Sequence, residues 1–207
     1  MTDSTAVHFD LDGTLLTFDD YAAVVEGAFR DRLDRVEPAW CEHYSDRFFE
    51  GFEALRPDPY RRAMADVCEA FGLDADPTAL VDALVERECA ESAVVPGARD
   101  LLATLDCPLG VLTNGVGRVQ RAKLAHHGLL DALDAVVVSY DVGAHKPDAA
   151  AFDAAREALP ADRHVLVGDD ERADVAGGRA AGFETVHVRG GDPGVTVSGL
   201  DDLARVL

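Results

Sequence analysis

Two aspartates that lie two residues apart, Asp10 and Asp12, have the clearest potential for chemistry in this sequence. They occur in the stretch HFDLDGTLL of residues 8–16, at the end of an apolar run at 6–9. A short continuous apolar run is typical of a strand that is buried on both faces. Both carboxylates would then stand at the mouth of that strand, although Asp12 and Gly13 are also compatible with a simple Asx turn.

Polar residues also follow the other apolar runs that we predict to be strands. They are Thr113, Asn114 and Gly115 after 109–112, Lys146 in the loop after 135–139, and Asp169, Asp170 and Asp174 after 164–167. In an open α/β sheet, ligands bind beyond the carboxyl ends of the strands. We therefore expect acids, a hydroxyl group and a cation to meet at one edge of the sheet.

Converging acidic loops call for a cation, because partly buried carboxylates are costly without a counter-charge. Clustered carboxylates suit a hard, oxygen-seeking ion, most simply Mg²⁺. Mg²⁺ keeps coordination positions for water and substrate phosphate. The acids therefore point to phosphoryl chemistry.

Lys146 precedes Pro147 and a predicted helix at 149–159. A cation at that place opposes the positive end of the helix dipole. The conflict disappears if an anion binds between the lysine and the helix amides. A surface lysine in a loop explains the position equally well.

The elements that must position these residues alternate between strand and helix. The predicted strands are 6–9, 109–112, 135–139, 164–167 and 185–188, and predicted helices at 118–127, 149–159 and 173–181 separate the last four. This alternation predicts an α/β fold, a Rossmann-like parallel sheet with helices on both faces in three α/β/α layers.

Residues 17–95 break the alternation and contain no convincing strand. Helical patterns there cover 21–36, 39–55, 59–71 and 77–92, with Pro and Gly between them. We therefore predict an all-helical cap domain at 17–93, inserted into a catalytic core formed by 1–16 and 94–207. A helical insertion beside a strand mouth is well placed to act as a lid.

Composition excludes several classes of protein. No apolar run approaches the roughly 18 residues needed to span a bilayer, and the start has no basic or apolar segment of a secretory signal. We expect a cytoplasmic protein. The four cysteines are spread along the chain without a paired spacing, so neither structural zinc nor a disulfide framework is expected.

The chain is strongly acidic, with 39 Asp and Glu residues against 19 Lys and Arg, and a net charge of -20. Such a balance argues against nucleic acid or an anionic membrane as a partner. We favour adaptation of the surface to high salt, where screening shortens repulsion between like charges. An ordinary acidic protein encoded by a GC-rich genome is the alternative interpretation.

Four motifs in order make the chain similar to the haloacid dehalogenase superfamily of phosphohydrolases. DLDGT resembles the first motif, LTNG the second, HKPD the third and VGDDERAD the acidic fourth. The flanking stretches NGVGRVQRAKLAHHGL and ADVAGGRAAGF resemble members with a helical cap after the first strand, such as phosphoglycolate phosphatase and phosphomutase relatives. The resemblance covers nearly the whole chain.

The resemblance implies a role for each acid of the first motif. Asp10 would be the nucleophile that forms an aspartyl-phosphate. Asp12 would protonate the leaving alkoxide and then deprotonate the attacking water. The Mg²⁺ ion would bind Asp10, the backbone carbonyl of Asp12, and Asp169.

The resemblance also implies how the substrate is held. Thr113 and Lys146, with the neighbouring residues Asn114 and Gly115, would bind the transferring phosphate oxygens. Asp174 would orient Lys146 or the metal-bound waters. The remaining supporting residues would be Thr14 and Asp170, the latter at a place where many relatives have a small polar residue. Outside the motifs, Lys123 is expected on the surface of helix 118–127.

The function that we predict is a Mg²⁺-dependent phosphatase acting on a small phosphorylated metabolite. A phosphomutase and a 2-haloacid dehalogenase use related parts, and a catalytically silent binding module is the alternative from another class. Asp12 favours an ester substrate over a haloacid, because a halide leaves without a proton whereas an alkoxide benefits from one.

The net charge predicts a salt-dependent stability. Repulsion among the acids opposes the compact state and is screened by added ions. We expect the midpoint of thermal unfolding to rise steadily from low salt to molar KCl, as measured by calorimetry or circular dichroism. A midpoint that is independent of KCl would mean that the acidity reflects composition only.

Overall fold

The computed structural model describes residues 4–188 and 195–197. The chain divides into two compact units at the boundaries 17/18 and 92/93, each one residue from the predicted boundaries. The strands of the chain are β1 (Thr5–Phe9), β2 (Leu16–Phe18), β3 (Ser92–Val94), β4 (Leu109–Thr113), β5 (Ala135–Val138), β6 (Arg163–Gly168), β7 (Glu184–Val188) and β8 (Val195–Val197).

Six of these strands form one parallel sheet in the order β5-β4-β1-β6-β7-β8. β1 is central, and the chain order runs outward from it in both directions. Phe9 of β1 pairs with Val111 of β4 on one side and with Val167 of β6 on the other. The carboxyl ends of β1, β4 and β6 therefore lie side by side, as the sequence predicts.

The helices of the chain are, in order, α1 (Tyr21–Arg30), α2 (Pro38–Glu53), α3 (Pro59–Phe71), α4 (Pro77–Glu91), α5 (Ala98–Thr104), α6 (Gly117–His126), α7 (Ser139–Val142), α8 (Ala149–Ala158) and α9 (Gly177–Ala180). A short 3₁₀ helix covers Leu130–Ala132, and a π-helix covers Glu171–Ala176. No helix in the described part of the chain is long and apolar enough to cross a membrane.

Apolar side chains cover both faces of the large sheet at its central strands. Along β6, Val165 and Val167 belong to one apolar cluster, and Leu166 between them belongs to another. Side chains of a strand alternate between the two faces, so each cluster covers one face. The first cluster includes Leu124 of α6 and the second includes Phe152 of α8. The predicted three-layer α/β fold is confirmed.

The second unit is the all-helical cap, built from α1 to α4. Three of its helices begin with a proline, at Pro38, Pro59 and Pro77. Proline suits the first helical position, because its fixed φ is helical and the missing N–H has no partner there. The fully buried side chains of the unit include Phe29, Tyr44, Met64, Leu80 and Leu84.

Two predictions for the cap region are wrong. The stretch 17–95 contains a strand after all, because β3 pairs with β2 in a two-stranded sheet. Each strand is only three residues long, too short for a periodic pattern. The helix predicted at 21–36 ends at Arg30, and the next residue, Asp31, accepts hydrogen bonds from Arg87 of α4 at 2.6 and 2.9 Å. The periodic pattern of apolar residues in a sequence gives no information about such a tertiary contact.

Two predictions for the core are also wrong in detail. The strand predicted at 135–139 ends at Val138, and Ser139 begins α7. The helix predicted at 173–181 is a π-helix from Glu171 followed by the short α9. It begins two residues early because the carboxylate of Asp170 accepts hydrogen bonds from the backbone of its first turn.

Candidate active site

The carboxyl end of β1 carries the first two aspartates of the site. The N–H of Asp10 donates to the carbonyl of Val167 at 2.8 Å, so Asp10 continues the pairing of β1 with β6. Its side chain is 11% exposed, whereas that of Asp12 is 37% exposed. Gly13 has a φ of +97°, and a Cβ there would collide with the carboxylate of Asp169. Gly13 therefore lets Asp169, the residue after β6, approach this turn.

Lys146 lies among the buried acids, and its own side chain is 2% exposed. Its Nζ donates to Oδ1 of Asp10 at 2.7 Å and to Oδ1 of Asp174 at 2.6 Å. Asn114 holds its backbone, accepting from the Lys146 N–H at 2.8 Å and donating to the Lys146 carbonyl at 3.0 Å. The loop after β5 is thus joined to the end of β4, and Lys146 is not a surface residue.

The acids of the fourth motif occupy three different positions. Asp169 directly follows β6, and its Oδ1 accepts a hydrogen bond from the hydroxyl of Thr14 at 2.9 Å. Asp170 caps the π-helix with its carboxylate. Asp174 is buried within that helix and accepts from the N–H of Asp170 at 3.1 Å in addition to Lys146. Of these three acids, Asp169 and Asp174 form a cluster with Asp10, beside the ammonium of Lys146.

A cavity of about 200 Å³ opens at this edge of the sheet. It is lined by Asp10, Asp12, Thr113, Asn114, Lys146, Asp169, Asp170, Ala173 and Asp174. Eight of these nine residues were predicted from the sequence as site residues. All of them belong to the core unit.

Gly115 does not line this cavity, although the sequence predicts that it binds substrate. Its N–H donates to the hydroxyl of Ser139 at 3.0 Å, at the start of α7. Its amide is therefore engaged on the side of β5. Thr14 is also absent from the lining, because its hydroxyl is turned toward Asp169.

Burial dominates the electrostatics of the acids. It raises the pKa of Asp10 from 3.8 to about 7, against the opposing effect of Lys146 and with a further contribution from Asp174. Burial likewise raises the pKa of Asp169, and the hydrogen bond from Thr14 opposes it. Burial alone would lower the pKa of Lys146, but the charges of Asp10 and Asp174 raise it.

The donor set fits a divalent cation. Carboxylate oxygens of Asp10, Asp169 and Asp174 all lie within 4.8 Å of one another. The ammonium of Lys146 compensates one of these three charges, which leaves two negative charges in a largely buried cluster. Oxygen ligands alone, with an excess of negative charge, suit Mg²⁺. The cluster contains Asp174 in place of the Asp12 side chain, whose predicted contribution is its backbone carbonyl.

Sequence reasoning missed two residues of the site, and the prediction that Lys123 lies on the surface is wrong. Its side chain is 4% exposed, and its Nζ lies 2.6 and 2.8 Å from the two carboxylate oxygens of Asp12. Gln120, one helical turn earlier on α6, donates to Asp12 at 2.8 Å and to the hydroxyl of Thr113 at 3.0 Å. A usable signal exists, because Lys123 and Lys146 are the only lysines of the chain.

Residues 5–182 of the chain match the haloacid dehalogenase-like hydrolase family. Pyrimidine 5'-nucleotidase YjjG of Escherichia coli (strain K12) is 28% identical, over 97% of this chain and 96% of its own. Ribulose-1,5-bisphosphate 5-phosphatase of Halopiger xanaduensis is 30% identical, over 88% and 84%. Among solved structures, 2-haloacid dehalogenase of Pseudomonas syringae pv. Tomato DC3000 is 25% identical with a TM-score of 0.78, over 98% and 97%.

The buried carboxyl of Asp10 predicts a pH-dependent stability of the metal-free protein. Because its pKa is raised to about 7, above the ordinary value of 3.8, the folded state binds this proton more tightly than the unfolded state. Ionising Asp10 therefore costs folding free energy as pH rises from about 4 to about 7. We expect Asp10→Asn to have a higher unfolding midpoint than the wild type at pH 8 in EDTA and to lose that advantage at pH 4.

Added Mg²⁺ should narrow the difference at pH 8, because a bound cation compensates the carboxylate of the wild type. Asp153→Asn, which changes an exposed acid of α8, is the matched control and should show no such dependence. A difference between Asp10→Asn and wild type that is the same at pH 4 and pH 8 would contradict the raised pKa.

Proposed function

Because the chain belongs to the haloacid dehalogenase-like hydrolase family, we propose that it is a Mg²⁺-dependent phosphohydrolase that cleaves a small phosphomonoester through an aspartyl-phosphate on Asp10. The observation that carries the proposal is the second carboxylate, Asp12, which lines the same cavity as Asp10 and Lys146. Two relatives named for phosphate-ester substrates support it. The cytoplasm and a surface adapted to high salt stay predictions from the sequence.

In this proposal Asp10 is the nucleophile. Its carboxylate attacks phosphorus, the bond from phosphorus to the ester oxygen breaks, and an acyl phosphate forms on the side chain. Lys146 holds Oδ1 of Asp10, which fixes the carboxylate and leaves Oδ2 for the attack. Asp174 in turn fixes Lys146 from the buried side.

Asp10 and Asp169, with the backbone carbonyl of Asp12, would hold the Mg²⁺ ion, and Asp174 lies in the same cluster. When bound, the ion supplies positive charge that lets an anionic carboxylate approach an anionic phosphate. Thr113 and Lys146 line the cavity and are suited to bind the transferring oxygens by hydrogen bonds. Thr14 fixes the carboxylate of Asp169 through the hydrogen bond to its Oδ1.

Asp12 handles protons in both halves of the reaction. It donates a proton to the leaving alkoxide as the ester bond breaks. It then accepts a proton from the water that attacks the acyl phosphate, and inorganic phosphate leaves while the Asp10 carboxylate is regenerated. The greater exposure of Asp12 compared with Asp10 suits a group that must meet both a leaving alcohol and a water molecule.

A 2-haloacid dehalogenase is the second candidate, because a solved structure of that name matches almost the entire chain. Dehalogenation also begins with attack by a carboxylate, but a halide leaves without a proton. A proton donor two residues after the nucleophile would therefore have no task at that step. Asp12 favours the phosphatase.

The proposal is tested first through the nucleophile. Asp10→Asn should reduce phosphate release from a panel of phosphorylated metabolites to background, because an amide does not attack phosphorus. The assay should contain Mg²⁺ at low and at high KCl, and EDTA should abolish the wild-type activity. Asp153→Asn serves as the control with full activity. Near-wild-type turnover by Asp10→Asn, or halide release from 2-chloropropionate by the wild type, would overturn the proposal.

The proton-transfer role of Asp12 predicts a dependence on the leaving group. General acid–base catalysis typically contributes about 10²–10⁴-fold. Asp12→Asn should therefore slow the phosphorylation step with ethyl phosphate far more than with p-nitrophenyl phosphate, whose leaving group hardly needs a proton. Single-turnover kinetics isolate this step. Equal losses on the two esters would remove Asp12 from the role of acid.

A further inference from the structure

Each of the two lysines of the chain forms an ion pair with one aspartate of the first motif. Lys146 pairs with Asp10, and Lys123 pairs with Asp12. All other Lys and Arg positions of the sequence are arginines. Lys123 lies on α6, eight residues after the second motif, and has no role in the mechanism proposed above.

Structural stabilisation alone is a poor explanation for Lys123. Removing an ammonium group from water carries a large desolvation penalty, and a well-packed apolar residue often stabilises a protein as much as a buried ion pair. Its partner Asp12 is partly exposed and does not need a buried cation to be solvated. The pairing therefore points to a requirement of Asp12 itself, namely a fixed orientation.

The donors to Asp12 are distributed unequally over its two oxygens. An ionised carboxylate offers about four acceptor positions, two on each oxygen. Lys123 donates to both oxygens, and Gln120 donates to Oδ2. Among the hydrogen bonds of the described residues, Oδ2 thus accepts two and Oδ1 accepts one. One position on Oδ1 remains for a proton, an alcohol oxygen or a water molecule.

Gln120 connects this arrangement to the phosphate-binding side of the cavity. Its Nε2 donates to Asp12, to the hydroxyl of Thr113 at 3.0 Å, and more weakly to the carbonyl of Asn114 at 3.4 Å. Gln120 and Lys123 are three residues apart on one helix, so their side chains share a face. α6 therefore ties Asp12 to the end of β4.

We propose that Lys123, assisted by Gln120, is a positioning residue that fixes the Asp12 carboxylate so that Oδ1 faces the leaving-group oxygen and, later, the attacking water, which rests on the role proposed above for Asp12. Lys123 acts through Asp12. Its Nζ holds both carboxylate oxygens in place, while the proton passes through the remaining acceptor position of Oδ1.

The test compares Lys123→Met with Arg121→Met, a control that removes an exposed cation two residues away on the same helix. We expect Lys123→Met to slow the single-turnover phosphorylation with ethyl phosphate by about 10–100-fold, a part of what general acid–base catalysis is worth. With p-nitrophenyl phosphate the rate should stay close to that of the wild type. Arg121→Met should behave as the wild type with both esters.

A double-mutant cycle separates positioning from damage to the fold. In the Asp12→Asn background, Lys123→Met should change the ethyl phosphate rate by less than about threefold, because effects of residues that act as a unit do not add. Equal losses on the two esters, or a full loss on top of Asp12→Asn, would overturn the proposal. If thermal unfolding shows that Lys123→Met does not fold, Gln120→Met takes its place, with the same pattern expected at smaller size.

A crystal structure provides a readout that does not depend on turnover. The Asp12 carboxylate should occupy more than one orientation in Lys123→Met and a single orientation in Arg121→Met. A single, unchanged orientation in Lys123→Met would overturn the positioning role whatever the rates. A wild-type protein that cleaves neither ester would instead overturn the proposed function, and the crystal structures would still decide whether Lys123 orients Asp12.

Discussion

The candidate active site depends on how much negative charge the protein can hold at one edge of its large sheet. Five aspartates line a single cavity there, in a chain whose net charge is already -20. Charges removed from water are tolerated only when they are paired and hydrogen-bonded. Two buried lysines provide that pairing inside the protein. Lys146 compensates only one of the three negative charges of Asp10, Asp169 and Asp174. The remaining negative charge suits the cluster to a divalent cation.

The same constraint gives two neighbouring aspartates different properties. Asp10 is enclosed, shares its lysine with Asp174, and has a pKa that burial raises to about 7. Asp12, only two residues on, is partly exposed and has two donors from α6. Because Gly13 has no Cβ, Asp169 can approach the turn that carries Asp10 and Asp12, and all three acids line one cavity. The roles proposed for Asp10 and Asp12 need this difference, since a nucleophile must be held rigidly beside a cation and a proton carrier must meet an alcohol and water.

The sequence predicts the parts of the site that follow from strand ends and fails for those that depend on a helix face. Asp169 and Lys146 follow buried runs, so the rule for open α/β sheets places them at one edge. The prediction that Lys123 lies on the surface is wrong, although a lysine on a helix is usually solvated. In the structure Lys123 and Gln120 belong to a buried stripe of α6 with Val119 and Leu124. The apolar residues of that stripe are visible in the sequence, but the acid that the polar ones meet comes from more than a hundred residues away.

The central place of β1 explains why so few elements can build this site. Because β1 lies between β4 and β6, its two acids have Thr113 on one side and Asp169 on the other, and α6 returns from β4 to reach Asp12. The pairing of Phe9 with both Val111 and Val167 sets this register. A slip of one residue would exchange the faces of the strand, and Asp10, which continues the pairing of β1, would lose its contact with Lys146. The electrostatic pairs at the edge therefore reinforce the register that the apolar faces of the sheet specify, and the chemistry and the fold select the same alignment of strands.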